Sequence, residues 1–136
     1  MSDPVTTIQT AYAAFGRGDL PALLAMMTND VDWQFVGDRA APYTGRVKGK
    51  GQVAEWFVAV AQADDIQAFE PREFFAGSDH VTVLGWERTV ARPGNGRFDT
   101  DWVHLWTLRG GRIARFVGFL DSEAAGRARA GQGSAA

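Results

Sequence analysis

The 136 residues carry 14 Lys and Arg against 16 Asp and Glu, a formal net charge of −2, and no Cys. That balance excludes a sequence-independent nucleic-acid binder, which needs a basic face. The missing thiols exclude disulfides, thiolate metal sites and Cys nucleophiles. Apolar residues make up 46% of the chain, with nine Phe and five Trp, so one domain with an aromatic-rich interior is expected over residues 1–130. No apolar run approaches the ~20 residues of a membrane helix. No basic segment followed by an apolar core marks a signal peptide, and a cytoplasmic protein is the expectation.

Asp3 followed by Pro4 reads as an N-cap and first helical residue. Val5, Ile8, Tyr12 and Phe15 then recur at helical spacing. Gly16-Arg17-Gly18 ends this helix. Asp19 caps a second, with Pro21 in its first turn and Leu20, Leu23, Leu24 and Met27 on its buried side. Arg17-Gly18-Asp19 spells an adhesion motif, but a helix-to-helix connection explains all three residues. Val31 to Val36 reads as a strand with Val31, Trp33 and Phe35 on one face. A loop follows from Gly37 to Gly49. A third helix is predicted over 51–63, with Val53, Trp56, Phe57 and Val60 inward.

Four strand-like segments come next: Ile66 to Phe75, His80 to Ala91, Phe98 to Leu108 and Arg112 to Leu120. The turn signals between them are Gly77-Ser78-Asp79, Pro93-Gly94-Asn95-Gly96 and Gly110-Gly111. Ser122 to Ala130 suits a short helix, and Gly131 to Ala136 a disordered tail. Helices first and antiparallel strands last indicate an α+β domain. The expected architecture is a curved antiparallel sheet with helices packed on one face, leaving a conical pocket.

Asp101-Trp102-Val103-His104-Leu105-Trp106 is the most informative stretch. Strand alternation puts Trp102, His104 and Trp106 on one face, an apolar aromatic wall with one titratable group at its centre. A three-residue turn over Arg109-Gly110-Gly111, with Gly111 left-handed, would place Phe116 and Gly118 on that face too. Glu87 lies on the preceding strand. One register of that hairpin puts it beside Trp102 and diagonal to His104; the other puts Trp86 and Arg88 there.

The order of these pieces resembles the nuclear transport factor two-like superfamily, in its SnoaL-like and ketosteroid-isomerase-related branch. The residues responsible are Tyr12-Ala13-Ala14-Phe15, Gly18-Asp19-Leu20, Asn29-Asp30-Val31-Asp32-Trp33, Gly45 and Gly49, Trp102 to Trp106, Gly111-Arg112-Ile113 and Phe119-Leu120-Asp121. The resemblance implies a cystatin-like α+β barrel. It is not specific for activity, since this fold hosts isomerases, cyclases, hydrolases, dehydratases and binding modules. Ketosteroid isomerases carry a general-base Asp after the first strand; Trp33-Gln34-Phe35-Val36-Gly37 has no carboxylate there. Their first-helix Tyr falls at Ala11 or Tyr12, and their oxyanion-hole Asp falls on His104. The His of SnoaL-like cyclases corresponds to His104, but their acidic partner corresponds to Gly118. Limonene-type epoxide hydrolases lose one member of their Asp-Arg-Asp set at Gly118, with Glu87 and Thr89 about where the other two would be. Asp121 resembles a structural Asp.

The resemblance places Glu87 on the cavity side. His104 and Glu87 are therefore the candidate catalytic pair, the carboxylate holding the imidazole tautomer and the imidazole moving a proton beside a carbonyl. The alternative is a buried Glu–His hydrogen bond that only satisfies two core groups. Tyr12 reads either as a hydroxyl donor into the cone or as a core tyrosine. Trp33, Phe35, Trp102, Trp106 and Phe116 are expected to line the pocket, with Gly118 leaving room beside them. Trp56 reads as core.

The glycine-rich stretch Gly45 to Gly51 lacks phosphate-loop spacing and reads as a loop over the pocket mouth. His80 and His104 are far apart in sequence, so no metal is expected, and His80 reads as exposed. The expectation is a hydrophobic small-molecule ligand, no cofactor and a homodimer. The protein is read as a cofactor-free isomerase, cyclase or dehydratase, or as a non-catalytic binding module or dimeric interaction domain.

Overall fold

The computed structural model describes residues 3–131. The Asp3 carboxylate accepts from the Val5 and Thr6 amides and starts α1 (Pro4–Gly16), filling two of the four orphan donors of a helix start. Gly18, at φ +69°, turns the chain. Asp19 then caps α2 (Leu20–Ala25) by accepting from Ala22. The Arg17-Gly18-Asp19 tripeptide is thus a connection between helices.

β1 (Met27–Val36) begins four residues before the expected strand. Met27, expected on the second helix, is its first residue. The Ile113 amide donates to the Met26 carbonyl at 2.8 Å, and Met27 is fully buried opposite Ile113. The expected mouth loop contains β2 (Gly45–Lys48), an edge strand antiparallel to β1. Its four residues are too few to show alternation, and three are exposed. Gly49, at φ +85°, leads into α3 (Lys50–Ala63).

The chain passes directly from α3 into β3 (Asp64–Ala76), followed by β4 (His80–Ala91), β5 (Arg97–Arg109), β6 (Arg112–Leu120) and α4 (Ser122–Arg129). Of the expected tail, 132–136 lies outside the described residues. The sheet order is β2-β1-β6-β5-β4-β3. Four of its neighbour pairs are antiparallel; β1 and β6 run parallel. The sheet is therefore mixed at one junction, where the N-terminal half of the chain meets the C-terminal strand.

Register decides what the inner face presents. The β5–β6 turn is a two-residue Gly110-Gly111 link with φ +59° and +77°, not the expected three-residue one. Both left-handed positions favour glycine, as a type I′ turn requires. A two-residue turn alone would send Phe116 and Gly118 outward, since an odd shift flips every side chain. A bulge between Thr107 and Leu108 restores the parity. Trp33, Phe116 and Trp106 consequently form one cross-strand row, and Phe35, Gly118 and His104 the next.

Among the described residues no helix is long and apolar enough to cross a membrane.

Candidate functional site

The inner face and the helices above it enclose a cavity of about 70 Å³. Tyr12 and Phe15 of α1 and Trp56, Phe57 and Val60 of α3 form its roof. Trp33, Phe35, Phe69, Glu87, His104, Trp106 and Phe116 come from the sheet, and Tyr43 and Asp64 close one end. Benzene occupies cavities of roughly 150 Å³, so in this arrangement the aromatic rings leave less space than one ring needs. A wider groove of about 550 Å³ lies outside, between β2 and α3, and Tyr43 and Trp56 line both spaces. Trp56 is half-buried and donates its Nε1–H to the Tyr43 carbonyl at 2.8 Å. It is the partition between cavity and groove rather than a core residue.

His104 faces inward and is buried. Its Nδ1 lies 2.7 Å from the Tyr12 hydroxyl oxygen, which also accepts from Trp106 Nε1–H at 3.0 Å. With one lone pair taken by the indole, the phenol satisfies both rings best by donating its own proton to Nδ1. The imidazole proton then sits on Nε2, which has no partner among the described residues. Burial pushes the His104 pKa down to about 3 and raises that of Tyr12. The face of Trp102 stacks on the imidazole at 3.9 Å and 17°. This environment disfavours the imidazolium. The site holds a neutral ring that offers one N–H, not a ready proton acceptor.

Glu87 is on the inner face, as the resemblance implies, but two positions from the expected pairing. It pairs with Thr100, Gly85 pairs with Trp102, and Val83 pairs with His104. Four residues along the sheet separate Glu87 from His104, roughly 13 Å between backbones at ~3.4 Å per residue. The expected Glu–His hydrogen bond is absent, and Tyr12 holds the tautomer instead. Glu87 Oε2 accepts from the Thr89 hydroxyl, and Oε1 has no donor among the described residues. Burial, with a smaller push from the Asp64 charge, raises the Glu87 pKa to about 7.

Two other expected lining residues stand behind the wall. Trp102 is covered by Phe69, at 4.8 Å, and by His104, with its indole lying over Gly85. A Cβ at Gly85 would come within 2.2 Å of it. Gly118 does not open the cavity: a Cβ there would meet Phe116 at 2.8 Å and Phe35 at 2.9 Å. The two rings occupy the space that the missing carboxylate leaves. His80 is half-buried, bonded to the Thr82 hydroxyl at 2.9 Å.

Sequence reading missed the far end of the cavity. Asp64 follows α3 without a break and carries a buried ion pair with Arg129 of α4. Arg129 also lies over the Tyr43 ring at 5.2 Å. Gly94 and Gly96 let α4 approach, since a Cβ at either would strike its backbone. Burial raises the Asp64 pKa despite the Arg129 charge. Residues about twenty and sixty-five positions apart meet here, and no spacing rule links them. Phe69 was findable, as an alternating aromatic within β3. No group of three or more acidic or imidazole side chains suited to a metal occurs among the described residues.

The family described as "SnoaL-like domain" matches residues 8–116. No curated protein matches the chain. Among solved structures, an NTF2-like protein from Burkholderia xenovorans LB400 is 30% identical, with a TM-score of 0.83 over 92% of this chain and 94% of that one. An NTF2-like protein of unknown function from Burkholderia pseudomallei K96243 is 29% identical, with a TM-score of 0.80 over 90% and 94%. TerC, co-crystallised with polyporic acid, is 27% identical, with a TM-score of 0.80 over 90% and 95%.

Proposed function

The chain belongs to the SnoaL-like domain family, and from that premise we propose that its cavity binds a compact, largely apolar carbonyl compound and moves a proton on it without a cofactor. One observation carries this reading. A neutral imidazole with a free Nε2–H and a carboxyl group of pKa about 7 line the same apolar space, in separate environments. Titratable groups pushed in opposite directions mark acid–base assignments.

The roles follow from those environments. Nε2–H of His104 donates to the substrate carbonyl, where negative charge develops as a proton leaves. The Tyr12–Trp106 chain fixes the donor's tautomer. Glu87 accepts the proton and returns it elsewhere on the same molecule. The separation of the two groups favours a conjugated substrate such as a cyclic enone. There the acidic carbon lies across the ring from the oxygen, and conjugation carries the charge between them. Isomerisation, cyclisation and dehydration share this step. Entry of a ring requires Trp56 to move and join the cavity to the outer groove. Co-crystallisation of TerC with polyporic acid supports a small-molecule role.

The test is deuterium incorporation at C4 of 2-cyclohexenone in D₂O, followed by proton NMR. Wild-type protein should accelerate exchange, with losses of at least tenfold in Glu87→Gln and in His104→Phe. No acceleration, together with binding weakened by His104→Phe, favours the non-catalytic binding module.

We also propose a homodimer through the outer sheet face. Leu84, Trp86, Val103 and Leu105 are only half-buried there, and Phe119 is 37% exposed. Light scattering tests it: a dimeric wild type and a monomeric Leu105→Lys are expected, and a monomeric wild type contradicts it.

A further inference from the structure

The carboxylate end of the cavity contains two groups that the proposed proton transfer does not use, Tyr43 and Asp64, beside the Glu87 that it does. Tyr43 is 4% exposed, lines the cavity and has a fully buried hydroxyl. That hydroxyl lies beside Asp64, and no described residue gives it a hydrogen bond of regular geometry. It is an unspent donor in a place where an unpaired donor is costly. Asp64 lines the same end, and its Oδ1 is engaged by Arg129. Glu87 keeps Oε1 free, its Oε2 already serving Thr89.

The chemistry of these three groups selects what fits between them. Above pH 7, with Glu87 ionised, a ketone or ether oxygen accepts from Tyr43 but offers nothing to the carboxylates. A carboxylate is repelled by both acids, since the Arg129 charge is already committed to Asp64. An ammonium satisfies the acids but leaves the Tyr43 proton without an acceptor. A hydroxyl does both, accepting from Tyr43 and donating to Glu87 or Asp64.

We infer that Tyr43, Asp64 and Glu87 form a subsite for a hydroxyl group of the ligand, so that the substrate class is a cyclic carbonyl compound hydroxylated across the ring from its carbonyl. This rests on the reading of His104 as the carbonyl donor. Arg129 acts as a positioning residue, anchoring Asp64 and stacking over the Tyr43 ring.

Cyclohexanone, 4-hydroxycyclohexanone, 4-methoxycyclohexanone and 4-aminocyclohexanone form the probe set, each titrated by NMR. Wild-type protein should bind the hydroxy compound at least tenfold more tightly than cyclohexanone, with no such gain from the methoxy or ammonium compound. Tyr43→Phe should reduce the gain, taken relative to the same variant's cyclohexanone affinity, to threefold or less. Glu87→Gln, which exchanges a charged acceptor for a neutral amide, serves as a second variant if Tyr43→Phe is unstable, and should also diminish the gain. Three results overturn the subsite: a gain below twofold in the wild type, an equal gain from methoxy or ammonium, or a gain that survives both variants. Cyclohexanone binding that depends on His104, with no gain from the hydroxyl, leaves the carbonyl reading standing and removes the subsite. A hydroxyl gain indifferent to His104→Phe does the reverse. Binding of none of the probes removes both.

Discussion

Replacing Glu87 by Gln should change how stability depends on pH more than it changes stability itself. The Glu87 pKa is about 7 in the folded protein, against an ordinary value of 4.5. A carboxyl whose folded pKa is raised contributes stability that is fully present below the unfolded pKa and is lost as pH rises through the folded one. A tenfold difference in proton affinity between folded and unfolded chains is worth ~1.36 kcal/mol. Between pH 5 and pH 8 wild-type protein therefore loses about 2–3 kcal/mol from this group. His104 acts oppositely. Its folded pKa of about 3 lies below the ordinary 6.5, so its contribution grows as pH rises through that window. The wild-type curve consequently hides both effects. Glu87→Gln keeps an acceptor for the Thr89 hydroxyl and leaves the His104 slope in place, so subtracting the two curves isolates the carboxyl. Urea unfolding at half-unit pH steps should show the variant gaining about 2–3 kcal/mol on wild type between pH 5 and pH 8. A difference that stays flat across that range would refute the buried, proton-holding Glu87 on which the catalytic assignment depends.

Tyr12→Phe strands Trp106 Nε1–H and His104 Nδ1 at once, at ~1–3 kcal/mol each; calorimetry should show a melting temperature lower by roughly 10 °C, and a fall under ~2 °C would remove the hydroxyl from its bridging role. Gly85→Ala drives a methyl into the Trp102 indole and should cost at least ~1–3 kcal/mol, with near-ultraviolet circular dichroism reporting a displaced indole; an unchanged spectrum and stability would mean Trp102 does not lie on that strand. Arg129→Met leaves Asp64 unpaired in a site where both side chains are at most 10% exposed. The expected loss is ~3–5 kcal/mol, with partial recovery in the Asp64→Asn, Arg129→Met double variant, and equal losses in single and double variants would argue against the ion pair.

What the sequence disclosed and what it withheld divide along physical lines. Asp3-Pro4 and Asp19 announce helix starts because capping is local chemistry. The alternation through Trp102, His104 and Trp106 fixes their common burial, since a strand has period two. The parity of Glu87 is correct for the same reason, but its pairing with Thr100 rather than Trp102 is set by the hairpin's exact course, which alternation does not encode. Phe116 faces inward only because a bulge offsets the shorter turn. Tyr43 stands in a stretch with no periodic pattern, so nothing local marks it as buried. Asp64 and Arg129 look like ordinary charges at element ends until the fold brings them together. Trp56 reads as core from its helix stripe, yet it separates two spaces. Gly118, the gap where a relative's acid would stand, is filled by its aromatic neighbours, an outcome that only packing reveals.

The nitrogen-15 spectrum of the His104 ring, recorded from pH 8 to pH 4.5, tests the donor assignment directly. The ring should stay neutral throughout, protonated at Nε2 and bare at Nδ1, and Tyr12→Phe should weaken that tautomer preference. A ring that titrates near pH 6.5, or that carries its proton on Nδ1, would contradict it.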